Sequence, residues 1–323
     1  IFSNYELNKK LFEHYANNNF DDLRYNINKF NQNVSRLAPF LTHLTFGDNF
    51  NKDVSSLPNS LTHLTFGDNF NKDVSRLPNS LTHLTFGDNF NKDVSSLPNS
   101  LTHLTFGDDF NKNISNLPLL LTNLTFGWCF NQDVSVLPQT LTNLTFGSNF
   151  NKDVSKLPHS LTHLIFGNHF NQDVSVLPDG ITHLIFGFDF NQDISKLPYG
   201  ITHLTLGCRF MKECTILPNV KYLKLDTCNS YIINNLPNSI IELELNRNFN
   251  LEINNLPTSI KKLVIKSVHI INLNCLPDFI EELHLNRHYE KRVLNIPSNL
   301  KKIVCHKDYS YIKDFSNCIV ENY

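Results

Sequence analysis

The chain has 323 residues, 41% of them hydrophobic, with 28 Lys and Arg against 30 Asp and Glu for a formal net charge of −2. Near-neutrality removes any global attraction to nucleic acid or an acidic membrane, so protein or small-molecule contacts are expected. The length exceeds the roughly 250–300 residues at which one compact core stops growing, which leaves two domains or a repeat.

Seven cysteines, Cys129, Cys208, Cys214, Cys228, Cys275, Cys305 and Cys318, form an odd set without a C-x-x-C pair or metal-ligand spacing. That set points to a reducing, cytoplasmic compartment and to no metal or other cofactor. No run of about 18 apolar residues exists, so no spanning helix is expected. The opening at Ile1 lacks a basic and apolar leader, which predicts a signal peptide absent or already removed.

In residues 1–29, Phe2, Tyr5, Leu11, Phe12 and Tyr15 give a short helix-like apolar pattern, read as an N-terminal cap. From residue 30 onward one period governs the chain. The stretch LTHLTFGDNFNKDVSSLPNS at 41–60 returns unchanged at 81–100, and the copy between differs only at Arg76. Leu-Pro or Ile-Pro steps recur at this 20-residue spacing from Leu57 to Ile296, with one contraction to 19 before Leu236, and with Pro39 use all 14 prolines. Nine of the 11 glycines share one column, from Gly47 to Gly207. Residues that usually mark loops here mark a lattice, the signature of a solenoid.

Within each unit, Leu61-Thr62-His63-Leu64-Thr65-Phe66 carries the apolar positions of the leucine-rich-repeat pattern L-x-x-L-x-L. A short strand results, with Leu64 and Phe66 inward and His63 and Thr65 outward. Fourteen such segments, from Leu41 to Leu300, predict one continuous parallel β-sheet of about 14 short strands. The Phe column, including Phe50 and Phe70, adds a second apolar anchor, and the Asn after each is placed to pair its amide with open backbone groups. Val54 and Leu57 carry the return past Pro58. Twenty residues leave no length for a helix there, so an extended or 3₁₀ convex side is expected.

Residues 30–219 hold the regular units and 220–312 divergent leucine-rich-like ones, where Asn229 and His269 replace Phe. In these, Tyr222, Glu242, Lys262, Glu282 and Lys302 alternate in sign along one column, which supports register and secondarily offers a docking patch. Residues 313–323 are expected to fold over the final strand as a C-terminal cap.

The string F-N-x-x-(V/I)…L-P-x-S-L-T-x-L-x-F-G-x-x-F-N resembles the FNIP repeat family, a leucine-rich-repeat variant of amoebae and the giant viruses that infect them. The units here are about two residues shorter than the usual form. Family members often carry an F-box, so the resemblance implies the substrate-recognising part of an F-box-type ubiquitin-ligase adaptor. Residues 1–29 would then be a cap or the remnant following such a box.

Candidate sites lie where columns are chemically loud or broken. His43, His63, His83, His103, His163, His183 and His203 form a ladder, with Asn123 and Asn143 interrupting it. A straight ladder diverges instead of converging on a metal ion, so it reads as a polar row on an exposed sheet. Paired Thr ranks as in ice-binding solenoids are rejected, because Thr62 and Thr65 differ in strand parity. The repeated Asp beside Lys or Gln offers no means of splitting pKa values, so no enzyme activity is expected. After the glycine, the early units read Asp-Asn; later ones place Trp128, His169, Phe188 and Arg209 there. Aromatics and Arg dominate interface energetics. The candidate binding residues are therefore Trp128, Phe188, His169 and Arg209, with His163, His183 and His203.

These features predict a non-enzymatic protein–protein interaction scaffold. It is expected to be monomeric and cytoplasmic (host cytoplasm if viral), without nucleic acid or membrane partners. Its protein partner would lie on the concave face or the strand-exit edge. The alternative is a structural protein whose solenoids assemble edge to edge into a particle or fibre.

Overall fold

The computed structural model describes residues 24–27, 34–35, 37–269, 271–274 and 276–323. The apolar pattern from Phe2 to Tyr15 lies outside the described residues. The chain forms two compact units, one running to Gly167 and the other from Asn168 to Tyr323.

The first unit contains β1 (Arg24–Ile27), β2 (His43–Phe46), β3 (His63–Thr65), β4 (His83–Thr85), β5 (His103–Thr105), β6 (Asn123–Thr125), β7 (Asn143–Thr145) and β8 (His163–Ile165). All pair in parallel and in chain order, each residue opposite its copy 20 positions on, as in Leu64 opposite Leu84. Only β1 and β2 pair at another separation, Arg24 opposite His43.

The unit is held by columns, each with its own steric or polar demand. Leu61, Leu64, Phe66, Phe70, Val74 and Leu77 are all buried. The Phe66 and Phe70 rings stack at 3.7 Å, and Phe70 meets Phe90 of the next unit at 6.1 Å. A single unit thus has most of its aromatic contacts in its neighbours. The return path is made of isolated i,i+3 turns instead of a helix: Phe70 N–H donates to Gly67 O, Leu77 N–H to Val74 O and Leu81 N–H to Pro78 O. Between units, Asn71 N–H donates to Asn51 Oδ1 at 3.0 Å and Asn91 N–H to Asn71 Oδ1 at 3.1 Å. Ser100 Oγ donates to Leu81 O at 2.6 Å. Backbone groups that a helix would satisfy internally are met by side-chain ladders.

The second unit contains β9 (His183–Ile185), β10 (His203–Leu206), β11 (Tyr222–Leu225), α1 (Ser230–Asn234), β12 (Glu242–Leu245), β13 (Lys262–Ile265), β14 (Glu282–His284), β15 (Lys302–Cys305), a 3₁₀ turn η1 (Ile312–Phe315) and β16 (Ile319–Asn322). The strands again pair in parallel and in chain order. Helix α1 departs from the expected helix-free return. It starts where Asn229 replaces Phe: the buried Asn229 caps it, its Oδ1 accepting from Ile232 N–H at 3.3 Å and its Nδ2 donating to Lys212 O at 2.9 Å.

The aromatic column does not stop at residue 217. Phe249, Tyr289 and Tyr309 are buried in its place, the two hydroxyls donating to Ile271 O and Lys291 O. Burial pushes the Tyr289 phenol up to about 12. Residues 313–323 also differ from the folded-over tail: β16 adds a parallel strand in register with β15, Ile303 opposite Val320. The fourteen expected strands form as β2 to β15, and β1 and β16 bring the count among the described residues to sixteen.

The sign alternation makes cross-strand pairs, Lys262 with Glu242 at 3.4 Å and Lys302 with Glu282 at 3.6 Å. Burial pushes the Glu244 carboxyl up, but the Lys224 and Lys266 ammoniums at 2.9 and 3.1 Å outweigh it and hold it low. Exposed pairs of this kind contribute about 0–1 kcal/mol each.

Candidate protein-interaction surface

Two surfaces carry the candidate residues, the open strand face and the edge where chains leave the strands. On the strand face of the first unit, His43, His63, His83 and His103 stack ring on ring at 4.1–4.2 Å. Each ring is anchored by the preceding Thr. Thr82 Oγ1 donates to Thr62 O at 3.1 Å and lies 2.9 Å from His83 Nδ1. With the hydroxyl proton spent on the carbonyl, Nδ1–H donates to the hydroxyl and Nε2 is left as acceptor. The Thr column therefore serves the scaffold. His163 has the same Thr162 contact at 2.9 Å.

In the second unit His183, His203 and Tyr222 continue this geometry, at 3.9 and 4.1 Å. Beside them lies a depression of about 280 Å³ lined by His183, Ile185, His203, Thr205, Tyr222 and Lys224. Its volume falls just below the roughly 300–1,000 Å³ of ligand pockets, which suits a side chain of a partner better than an enclosed small molecule. Among the described residues no group of three His, Cys, Asp or Glu side chains is placed to hold a metal ion.

The strand-exit edge brings three of the predicted residues together. Phe188 is 41% exposed, and the Arg209 guanidinium lies 5.1 Å from its ring centroid. Arg209 Nη1 also contacts Asp189 Oδ1 at 2.8 Å, while Asp189 Oδ2 meets His169 Nδ1 at 2.6 Å. The arginine is thus held between a ring face and a carboxylate, and little rotamer freedom remains to be lost on binding. Asp189 is the residue that sequence reasoning missed. Its signal was available, since it stands one period from both His169 and Arg209. Met211, also passed over, is 56% exposed two residues beyond Arg209.

Trp128 sits on the corresponding edge of the first unit, 51% exposed, its N–H donating to Asp108 Oδ1 at 3.0 Å. Two further exposed apolar residues of this unit, Leu119 and Leu120, occupy the strand-entry turn at the opposite end of the strand, where the three preceding copies carry Asn-Ser. The break in the column was readable and went unused.

The FNIP Repeat family model matches nine times, over residues 30–209 and 229–267, the span that carries most of the buried Phe column and the Leu-Pro turns. The chain belongs to the FNIP repeat family. The last of these matches extends FNIP character into the divergent stretch, past the point where the Phe column had been expected to end.

Among solved structures the FNIP chain is similar to CroV588, a circular LRR protein of a giant virus, at TM-score 0.63 and 35% identity over 88% of this chain and 53% of that one. It therefore spans about half the length of CroV588. YopM from Yersinia enterocolitica matches at TM-score 0.56 and 20% identity, covering 94% and 74% of the two chains. The functional domain of InlJ from Listeria monocytogenes matches at 0.53 and 18%, covering 84% and 69%. These two likenesses concern the fold alone. No curated protein matches the sequence. No helix among the described residues is long and apolar enough to cross a membrane.

Proposed function

We propose that this FNIP chain is a non-catalytic, intracellular scaffold that binds a protein partner through its strand-exit edges. The observation that carries the reading is the pre-held Arg209 over exposed Phe188, with Trp128 exposed at the corresponding edge of the first unit. Exposed aromatics next to an immobilised arginine have the composition of an interface anchor, where a few residues dominate affinity. Repeat scaffolds of this kind present side chains at fixed spacing, and identical columns elsewhere supply stiffness. The narrower reading, substrate recognition in an F-box-type ubiquitin-ligase adaptor, rests on the family resemblance.

Proximity labelling in cells, comparing the native chain with the Trp128→Ala, Phe188→Ala double variant, tests both levels. Loss of the principal labelled proteins from the variant, at unchanged abundance, is expected. An identical labelled set would remove the edges as the binding surface, and a set without any ligase subunit would remove the adaptor role. A second reading, self-assembly, is favoured by the charge distribution along the exit edges.

A further inference from the structure

The residue next after the glycine, or after its replacement, forms a column along each exit edge. In the first unit it reads Asp48, Asp68, Asp88 and Asp108, following β2 to β5, and all four are exposed. In the second unit the matching positions after β12, β14 and β15 are Arg247, Arg287 and Lys307, with Lys266 one residue earlier after β13; all four are again exposed. The column thus carries a run of four acids in the first unit, before Trp128 and Ser148, and three basic residues in the second, where the buried Ser267 stands between Arg247 and Arg287.

Most of each rank makes no side-chain contact within its own unit. Among the described residues Asp48, Asp68 and Asp88 have no ion pair or side-chain hydrogen bond, and neither do Arg247, Arg287 and Lys307. The contrast is with the neighbouring Asp73, whose carboxylate accepts from Ser75 N–H and Oγ at 3.1 and 2.8 Å. Like charges one strand apart repel each other. Asp108 accepts from Trp128 N–H and Lys266 pairs with Glu244, so three charges of each rank are left without internal partners and available for an outside one.

We propose that a second copy of this chain docks here, the acidic rank of one copy lying antiparallel against the basic rank of the other. Both ranks follow parallel strands with a common spacing of about 4.8 Å, so one register brings three pairs together. Asp48 then faces Lys307, Asp68 faces Arg287 and Asp108 faces Arg247 through its second carboxylate oxygen, while Asp88 falls opposite the Ser267 step. Trp128 and Thr227 stand next in the two series, so an exposed aromatic follows the charged stretch and supplies apolar contact that ion pairs alone lack. The near-zero net charge offers no general repulsion against this approach. This proposal concerns self-recognition and rests on the second reading above; a monomer that still labels cellular partners through Trp128 and Phe188 would leave the scaffold standing.

Sedimentation equilibrium of the full chain at about 50 mM salt should show reversible self-association, weakened about tenfold or more at about 500 mM salt. Two charge-reversed variants decide the surface, Asp48→Lys with Asp68→Lys, and Arg287→Glu with Lys307→Glu. Each alone should be monomeric, with native circular dichroism, and an equimolar mixture should regain the complex, since each now carries what the other needs. A native chain that stays monomeric at low salt overturns the proposal, and so do variants that self-associate as the native chain does. Should either variant fail to fold, carbodiimide coupling of a mixed ¹⁴N/¹⁵N native sample gives the same decision. An isotopically mixed Asp48–Lys307 cross-link is expected, and its absence from an associating sample counts against the register.

Discussion

Glycine stands at Gly67 through Gly167 and at Gly207 for reasons of space and not of conformation, since no described glycine has a positive φ. A Cβ built on Gly107 would collide with the Gly87 carbonyl, which is backbone and cannot move aside. Gly107→Ala is therefore expected to destabilise the chain by about 1–3 kcal/mol through overpacking, seen as a lower urea midpoint. An unchanged midpoint would mean that the units have slack at this column. The glycine column was plain in the sequence, whereas its cause was not: a turn signal and a close approach look alike in one dimension. Asp189 teaches the complementary lesson. It reads as one more solvated carboxylate until the 20-residue step places it between His169 and Arg209.

At the scale of elements, the strands were legible because each column makes its own demand, Leu and Phe for the interior, Asn and Ser for backbone groups between units. Strands β1 and β16 and helix α1 were not legible. They lie where the period ends or contracts, and a segment without identical neighbours carries no lattice to read. The histidine ladder is an element property as well, because its titration depends on the strands beside it. Burial, and then the like rings of His103 and His43, hold the His83 imidazole below its ordinary value. Strands β3 to β5 set only histidines and threonines around it on that face. The unfolded chain thus takes up this proton first on acidification. The stability involved is fully present above about pH 6.5 and is lost as pH falls through that value toward the lower folded one. His83→Asn, the residue that units at 123 and 143 already carry, should reduce this loss between pH 7.5 and 5.5 in urea titrations. Native and variant curves that fall in parallel would show that the stack does not couple to folding.

For the molecule as a whole, the repeated sequence is explained by a unit that cannot bury its own apolar side. Phe86 and Phe90 stack within one copy at 3.7 Å and on Phe106 and Phe110 of the next at 5.7 and 6.1 Å. Stability then approximates a sum of unit and neighbour terms, and whole units are interchangeable in a way that parts of units are not. Chemical denaturation of two shortened chains, one lacking residues 81–100 and one lacking residues 81–90, tests this most directly. Removing twenty residues rejoins identical columns and should leave a folded chain with a cooperative transition at a slightly lower midpoint. Removing ten sets phenylalanine columns against turns and should abolish that transition. Equal loss of structure in the two chains would contradict stacking by units.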